Sequence, residues 1–90
     1  YPFEQTVASG ASDADIIEKI DIGGISLIRA GAKNFNDVVI VPSKVEYSVL
    51  LDILNKNGAQ TDIEDRKMLA ARAFGVSSHY DTAIHEWFVK

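Results

Sequence analysis

The sequence predicts an α/β fold, in the form of a mostly helical chain with one buried central strand. The strand is predicted by residues 38–41, VVIV, an uninterrupted β-branched run that Pro42 ends, as is typical of a strand buried on both faces. The helices are predicted by apolar residues at spacings of three and four behind capping residues. No second segment has a comparable strand pattern, and unpaired backbone groups in a buried strand cost about 1–3 kcal/mol each. The chain is therefore expected to be an incomplete domain, completed by a longer protein or a partner chain.

The first third of the chain is predicted to contain a loop and two short helices. Residues 1–11 carry a proline and a glycine and lack helical periodicity, which predicts a strand end and a loop. Ser12 stands three residues before an aspartate and precedes apolar residues at helical spacing, so a helix is expected over about 13–20. The Gly23-Gly24 pair interrupts the pattern, and a second helix is expected over about 24–32.

Three further helices are predicted after the strand. The segment SKVE begins a helix over about 44–56, which Asn57-Gly58 ends. The segment TDIE begins another over about 62–74, with Gly75 as its stop, and a last helix begins near Ser78. The aromatic residues of this final third stand at helical spacings and are predicted to be core or interface; they are Phe74, Tyr80, Trp87 and Phe88.

Composition excludes several classes of protein. The chain has 90 residues, 47% of them hydrophobic and 24% charged, which is typical of a single globular domain or part of one. Its net charge is −4 and its nine Lys and Arg residues are scattered, so nucleic acid is not expected as a partner. The absence of cysteine rules out disulfides and thiolate metal sites.

The expected location follows from the same composition. No apolar run approaches the roughly 20 residues that span a bilayer, so no membrane partner is expected. No signal-peptide pattern is present, and a cytoplasmic location is expected. The chain begins at Tyr1 without a methionine, which suggests a piece of something longer.

The segment from Ile20 to Asn34, IDIGGISLIRAGAKN, allows two interpretations. In the first, the two glycines are a hinge, Asp21 caps the second helix, and Arg29 and Lys33 face water. In the second, the glycines let a ligand approach the free N–H groups of a helix start, Asp21 accepts hydrogen bonds from it, and Lys33 supplies positive charge. Spacing alone does not decide between them.

Three motifs resemble one known family. IDIGG, with RAGAKN beginning five residues after its second glycine, strongly resembles the IMP cyclohydrolase domain of the bifunctional purine biosynthesis enzyme, which joins that activity to AICAR formyltransferase. The opening YPF, followed by TVAS, and the later AFGVSSHYDTAI, residues 73–84, resemble further segments of the same family. The likeness covers nearly all of the chain in order.

The resemblance implies a fold, a reaction and partners. The family's domain is a three-layer α/β fold similar to methylglyoxal synthase, and residues 1–90 resemble its C-terminal part, without the transformylase domain. The implied reaction closes the purine ring of formyl-AICAR ribotide to give IMP and water, with no metal and no cofactor. The cofactor 10-formyltetrahydrofolate belongs to the absent transformylase domain. The implied partners are the rest of the same enzyme and a second subunit in a homodimer, and the isolated piece is expected to be inactive.

The resemblance also implies site residues. Tyr1, Asp21 and Lys33 correspond to the family's catalytic side chains, and Asp21 with the backbone of residues 22–24 (Ile22, Gly23 and Gly24) corresponds to its substrate-binding turn. Along one straight helix Asp21 and Lys33 would lie about 18 Å apart. A lysine arm and a nucleotide could nearly bridge that gap, but an early helix end at Gly31 that turns Lys33 back is the preferred expectation.

Two alternative functions remain open at this stage. One is a non-catalytic ligand-binding or regulatory module of the broad class similar to methylglyoxal synthase. The other is a purely structural helical subdomain. An upstream segment reading K-T-L-H-P, which the family carries, would favour the enzyme.

Overall fold

The computed structural model describes residues 3–90, and within that range the chain forms five α-helices. They are α1 (Phe3–Ala8), α2 (Asp13–Glu18), α3 (Gly23–Lys33), α4 (Lys44–Lys56) and α5 (Ile63–Phe88). The molecule is elongated, with principal extents of 49 × 21 × 18 Å. The cause is α5, whose 26 residues at about 1.5 Å each make a rod that the shorter helices line.

The predicted central strand is wrong, and with it the α/β class. Residues 38–42 are irregular, and neither a strand nor a sheet occurs between residues 3 and 90. A strand requires a partner for its backbone groups, and in this range the other long apolar segments are all helical. The Val38 amide donates instead to the Asn34 carbonyl at 3.0 Å, in a turn that ends α3. The Ile40 side chain then packs on the core between α3 and α5, so the run serves as an apolar linker between helices.

The helix boundaries agree with the predictions where local signals are strong. Helix α4 begins and ends as predicted, and α2 begins behind Ser12, whose hydroxyl accepts the Asp15 amide at 3.3 Å. Helix α5 begins one residue later than predicted. Its N-cap is Asp62, which accepts the Asp65 amide at 2.8 Å, while the Asp65 carboxylate accepts the Asp62 amide at 3.3 Å.

Two features of the helices differ from the predictions. Residues 3–8 form α1 rather than a loop, because Phe3 is buried and meets Tyr80 and Trp87 edge-to-face at 6.1 and 6.3 Å between ring centroids. Helix α5 runs through Gly75 and Ser78 without a break, so the predicted stop at Gly75 and the predicted start of a last helix near Ser78 are wrong. A single glycine costs a helix about 1 kcal/mol, which the favourable residues on either side exceed.

Small residues bring α3 and α5 together. The core between α3 and α5 consists of Ala32 on one side and Ala70 and Ala73 on the other, all buried. Alanine side chains permit close approach of the two backbones, and larger apolar residues close the edges of this contact. Those residues are Ile28, Phe35 and Ile40.

Helix α4 is attached by a buried carboxylate. Glu46 is 5% exposed, accepts the Ser43 hydroxyl at 2.6 Å and lies 3.4 Å from the Arg72 guanidinium of α5. Ser43 is the N-cap as predicted, but its hydroxyl donates to Glu46 and makes no hydrogen bond to an amide of the helix. In the described part of the chain, none of the helices has the length and apolar character that crossing a membrane requires.

Candidate functional site

Asp21 lies in the turn between α2 and α3 and caps α3 with its side chain. Its Oδ1 atom accepts the Gly24 amide at 2.8 Å. A Cβ atom at position 24 would collide with the carboxylate, the Asp21 Oδ2 atom being its nearest neighbour. The second glycine therefore lets the carboxylate lie over the first turn of the helix. This geometry matches the capping interpretation of Asp21, and it leaves Oδ2 without a hydrogen bond among residues 3–90.

Tyr80 of α5 contacts this turn through two hydrogen bonds. The Asp21 amide donates to the Tyr80 hydroxyl oxygen at 2.7 Å, and that hydroxyl donates to the Lys19 carbonyl at 3.4 Å. The side chain therefore connects the end of α2, the start of α3 and the C-terminal half of α5. Sequence reasoning assigned Tyr80 only to core or interface, because no local pattern links residues that are 59 positions apart.

An open cleft of about 730 Å³ lies beside Asp21. One wall comes from α1 and the turn that follows it, with Gln5, Thr6 and Ser9, and the other comes from residues 18–21. This volume is in the range of small-molecule sites. The cleft thus places two acidic side chains, Glu18 and Asp21, and several polar groups around one space, and Asp21 connects it to the start of α3.

The backbone of the glycine turn is exposed. Ile22 is 71% exposed, and nothing lies within 4 Å of the Cβ position of Gly23. Within the described range the Ile22 and Gly23 amides form no hydrogen bond, so they are available to an acceptor on a ligand. The structure therefore leaves the predicted substrate-binding turn accessible.

Lys33 lies at the opposite end of α3. The helix continues through Gly31 to Lys33, so the expected early end at Gly31 is wrong. The Ile40 side chain packs on Gly31, with its Cδ1 atom 2.9 Å from the position of an added Cβ, so a larger residue there would require Ile40 to shift. Asp21 and Lys33 thus lie at opposite ends of α3, whose 11 residues span about 16 Å at about 1.5 Å each. Asp21 lines the cleft beside α1, whereas Lys33 lines a separate hollow between α3 and α5.

The remaining candidates are placed as follows. Tyr1 lies outside the described residues. Arg29, which one interpretation of the sequence placed in water, has its guanidinium 5.6 Å from the centroid of the Phe74 ring. Between residues 3 and 90, no group of three His, Cys, Asp or Glu side chains is arranged to hold a metal ion.

The chain is similar in sequence to proteins of one known family. A family model described as the AICARFT/IMPCHase bienzyme matches residues 31–90. Over 88 residues, the chain is 66% identical to the bifunctional purine biosynthesis protein PurH of Bacteroides thetaiotaomicron and 48% identical to that of Bradyrhizobium diazoefficiens. Each of these two matches covers 98% of the chain and 17% of the relative. The chain therefore spans about one sixth of the length of the curated relatives it matches.

Proposed function

The chain belongs to the AICARFT/IMPCHase bienzyme family, and from this membership we propose that it is part of the IMP cyclohydrolase domain of a bifunctional purine biosynthesis enzyme. The proposed reaction is closure of the purine ring of formyl-AICAR ribotide to give IMP and water. The observation that carries the proposal is the Asp21 corner, where a carboxylate, two free amides and an open cleft adjoin. We also propose that the segment belongs to the C-terminal part of that domain.

Asp21 has the chemistry that ring closure needs. The carboxamide nitrogen of the substrate must attack the formyl carbon and lose a proton, and an amide nitrogen is a poor nucleophile. Because Oδ1 is held by the Gly24 amide, Oδ2 is the oxygen proposed to accept the substrate N–H and assist removal of the proton. The Ile22 and Gly23 amides are proposed to bind acceptor atoms of the base.

Lys33 and Tyr1 are proposed to act on the formyl oxygen. As the N–C bond forms, that oxygen gains negative charge and must be protonated before it leaves as water. A lysine ammonium and a phenol hydroxyl can supply both stabilisation and protons. The amide nitrogen and the formyl oxygen are neighbouring atoms, whereas Asp21 and Lys33 lie at opposite ends of α3 and line separate spaces. The proposal therefore requires the two side chains to converge on these atoms once the rest of the domain completes the site. Much of the rate would come from holding one rotamer of the formyl group.

A second candidate is a non-catalytic ligand-binding segment. It is favoured by one observation, namely that Asp21 already caps α3 while Lys33 stands at the other end of the same helix. In that case the cleft beside Asp21 would bind a ligand without any contribution from Lys33.

The partners and location proposed here follow from family membership. They are the rest of the same polypeptide, a second subunit in a homodimer, and the cytoplasmic pool of purine intermediates. The cyclohydrolase step is proposed to need no metal and no cofactor, while 10-formyltetrahydrofolate would serve the transformylase domain.

The decisive experiment is a chimera of the Bacteroides relative in which this chain replaces the matching segment. We expect the chimera to cyclise formyl-AICAR ribotide, and Lys33→Ala to reduce kcat for ring closure by at least about tenfold. Lys56→Ala, at the end of α4, is the matched control and should leave that rate unchanged. Transformylase activity is measured in parallel and should survive both changes. An unchanged cyclisation rate in Lys33→Ala would favour the ligand-binding candidate.

Two substitutions separate the proposed catalytic role of Asp21 from its role as a helix cap. Asp21→Asn keeps an oxygen that can accept the Gly24 amide, whereas Asp21→Ala removes the cap. In the chimera, Asp21→Asn should retain the unfolding midpoint of the parent yet lose at least about tenfold in ring closure. If Asp21→Asn is as active as the parent, Asp21 acts only as a helix cap and has no part in the ring closure. The 90-residue chain alone is expected to show no turnover.

A further inference from the structure

Two hydrogen bonds determine where the Asp21 carboxylate points. The Oδ1 atom accepts the Gly24 amide at 2.8 Å, and the Asp21 backbone amide donates to the Tyr80 hydroxyl oxygen at 2.7 Å. Asp21 is exposed, so packing by neighbouring side chains does not confine it. The direction of the second oxygen, Oδ2, therefore depends on one contact within the turn and one contact with α5.

Tyr80 is the rigid member of this arrangement. Its ring is half-buried and meets the buried Phe3 ring edge-to-face, with 6.1 Å between the centroids. Its hydroxyl donates to the Lys19 carbonyl at 3.4 Å, which leaves an oxygen lone pair for the Asp21 amide. The residue lies inside the 26-residue α5, clear of the ends where helices fray. Tyr80 is thus a fixed support for an exposed turn.

Tyr80 does not belong to the surface that a ligand in the cleft would touch. The described residues that line the cleft come from α1, the turn after it and residues 18–21, and Tyr80 is not among them. Its influence on a molecule in the cleft must therefore pass through the residues that it supports. The residue with chemistry suited to proton transfer among them is Asp21.

We infer that Tyr80 is a positioning residue for ring closure, which aims the Oδ2 atom of Asp21 at the substrate N–H. The inference rests on the proposed function, in which that oxygen accepts the proton. A general base must lie within about 2.6–3.2 Å of the atom that gives up the proton, and a misplacement of about 1 Å can cost about a hundredfold in rate. Without the Tyr80 hydroxyl, the carboxylate is still present but its direction is set only by the turn.

The test is Tyr80→Phe in the chimera of the Bacteroides relative described above, assayed well below the unfolding midpoint of each variant. The ring that packs on Phe3 is kept, and kcat for ring closure should fall at least about fivefold. KM for formyl-AICAR ribotide should change less than about twofold, because Tyr80 does not line the cleft. Tyr47→Phe, at an exposed tyrosine on α4, is the matched control and should keep the kcat of the parent.

A double variant separates positioning from a general loss of structure. If Tyr80 acts through Asp21, Tyr80→Phe should have almost no further effect on kcat in the Asp21→Asn background, because residues that act as a unit are not additive. A purely structural effect would lower kcat by the same factor in both backgrounds. Such an equal loss, or a parent-like kcat in Tyr80→Phe, would overturn the inference.

The inference and the proposed function can be told apart by the same variants. A loss of ring closure in Asp21→Asn together with a parent-like Tyr80→Phe would refute only the positioning role. A parent-like Asp21→Asn would refute the use of Asp21 as the proton acceptor, and the role of Tyr80 with it. Transformylase activity, measured in parallel, should be the same in all of these variants.

Discussion

At the scale of single residues, the two consecutive glycines at the start of α3 have different roles. Gly24 has the Asp21 carboxylate directly over the position of a Cβ atom, whereas Gly23 has nothing within 4 Å. Neither has a positive φ, so backbone freedom is not the reason for glycine at either position. Glycine is required at 24 by space, because the cap and a side chain cannot occupy the same place.

Alanine at these two positions should therefore have different effects on stability. Gly23→Ala should raise the free energy of unfolding by about 0.5–1 kcal/mol, through the lower entropy of the unfolded chain. Gly24→Ala lowers the entropy of the unfolded chain in the same way, but it displaces the Asp21 carboxylate. The loss of an N-cap costs about 1 kcal/mol. The two variants should thus differ by about 1 kcal/mol in urea denaturation, with Gly23→Ala the more stable. Equal stabilities would mean that the cap does not contribute.

The sequence allowed capping as one of two interpretations of Asp21, and its preferred position for Lys33, turned back at Gly31, was wrong. An aspartate three residues before an amide at a helix start is a local signal. Helix α3 continues through Gly31, and Ile40 packs on that glycine from a separate segment.

At the scale of elements, helix α5 shows the limit of glycine as a stop signal. Gly75 has helical geometry with no positive φ, and a Cβ atom there would meet nothing within 4 Å. Gly58, in contrast, follows α4 with φ at 65°, the left-handed region that favours glycine. The same residue type is therefore a helix end in one place and a helix interior in the other.

Alanine substitution distinguishes these two glycines. Gly75→Ala should stabilise the protein by about 0.5–1 kcal/mol, since alanine has the better helix propensity. Gly58→Ala should destabilise it by about 1 kcal/mol, because a side chain in the left-handed region is strained. Thermal unfolding followed by circular dichroism at 222 nm measures both. A lower melting temperature for Gly75→Ala would contradict a helix interior at Gly75 and support the helix end that the sequence predicted there.

At the scale of the whole molecule, the C-terminal half of α5 organises the N-terminal third of the chain. Tyr80 accepts the Asp21 amide and donates to the Lys19 carbonyl, and Phe3 is buried against Tyr80 and Trp87. The walls of the Asp21 cleft, which come from α1 and the α2–α3 turn, are thus both positioned by the same side of α5.

Removal of one hydroxyl tests this arrangement. Tyr80→Phe keeps the ring that packs on Phe3 but leaves the Asp21 amide without its acceptor, so it should cost about 1 kcal/mol of stability. Hydrogen exchange of the Asp21 amide should accelerate while amides in the middle of α5 stay protected. Tyr47→Phe is the control, since Tyr47 is 63% exposed on α4 and makes no hydrogen bond within residues 3–90. Slow exchange of the Asp21 amide in Tyr80→Phe would show that the turn is stable without the Tyr80 hydrogen bond.

The sequence by itself determined the features that local interactions control. Helix α4, the start of α2 behind Ser12 and the glycine turn after Asp21 follow from caps and apolar spacing within a few residues, and the motifs indicated the family. Only the tertiary structure decided that residues 38–42 are a linker, that α1 is helical and that Tyr80 holds the Asp21 corner. The physical reason is that each of these depends on which distant surface is available for burial or pairing, and local spacing does not encode that.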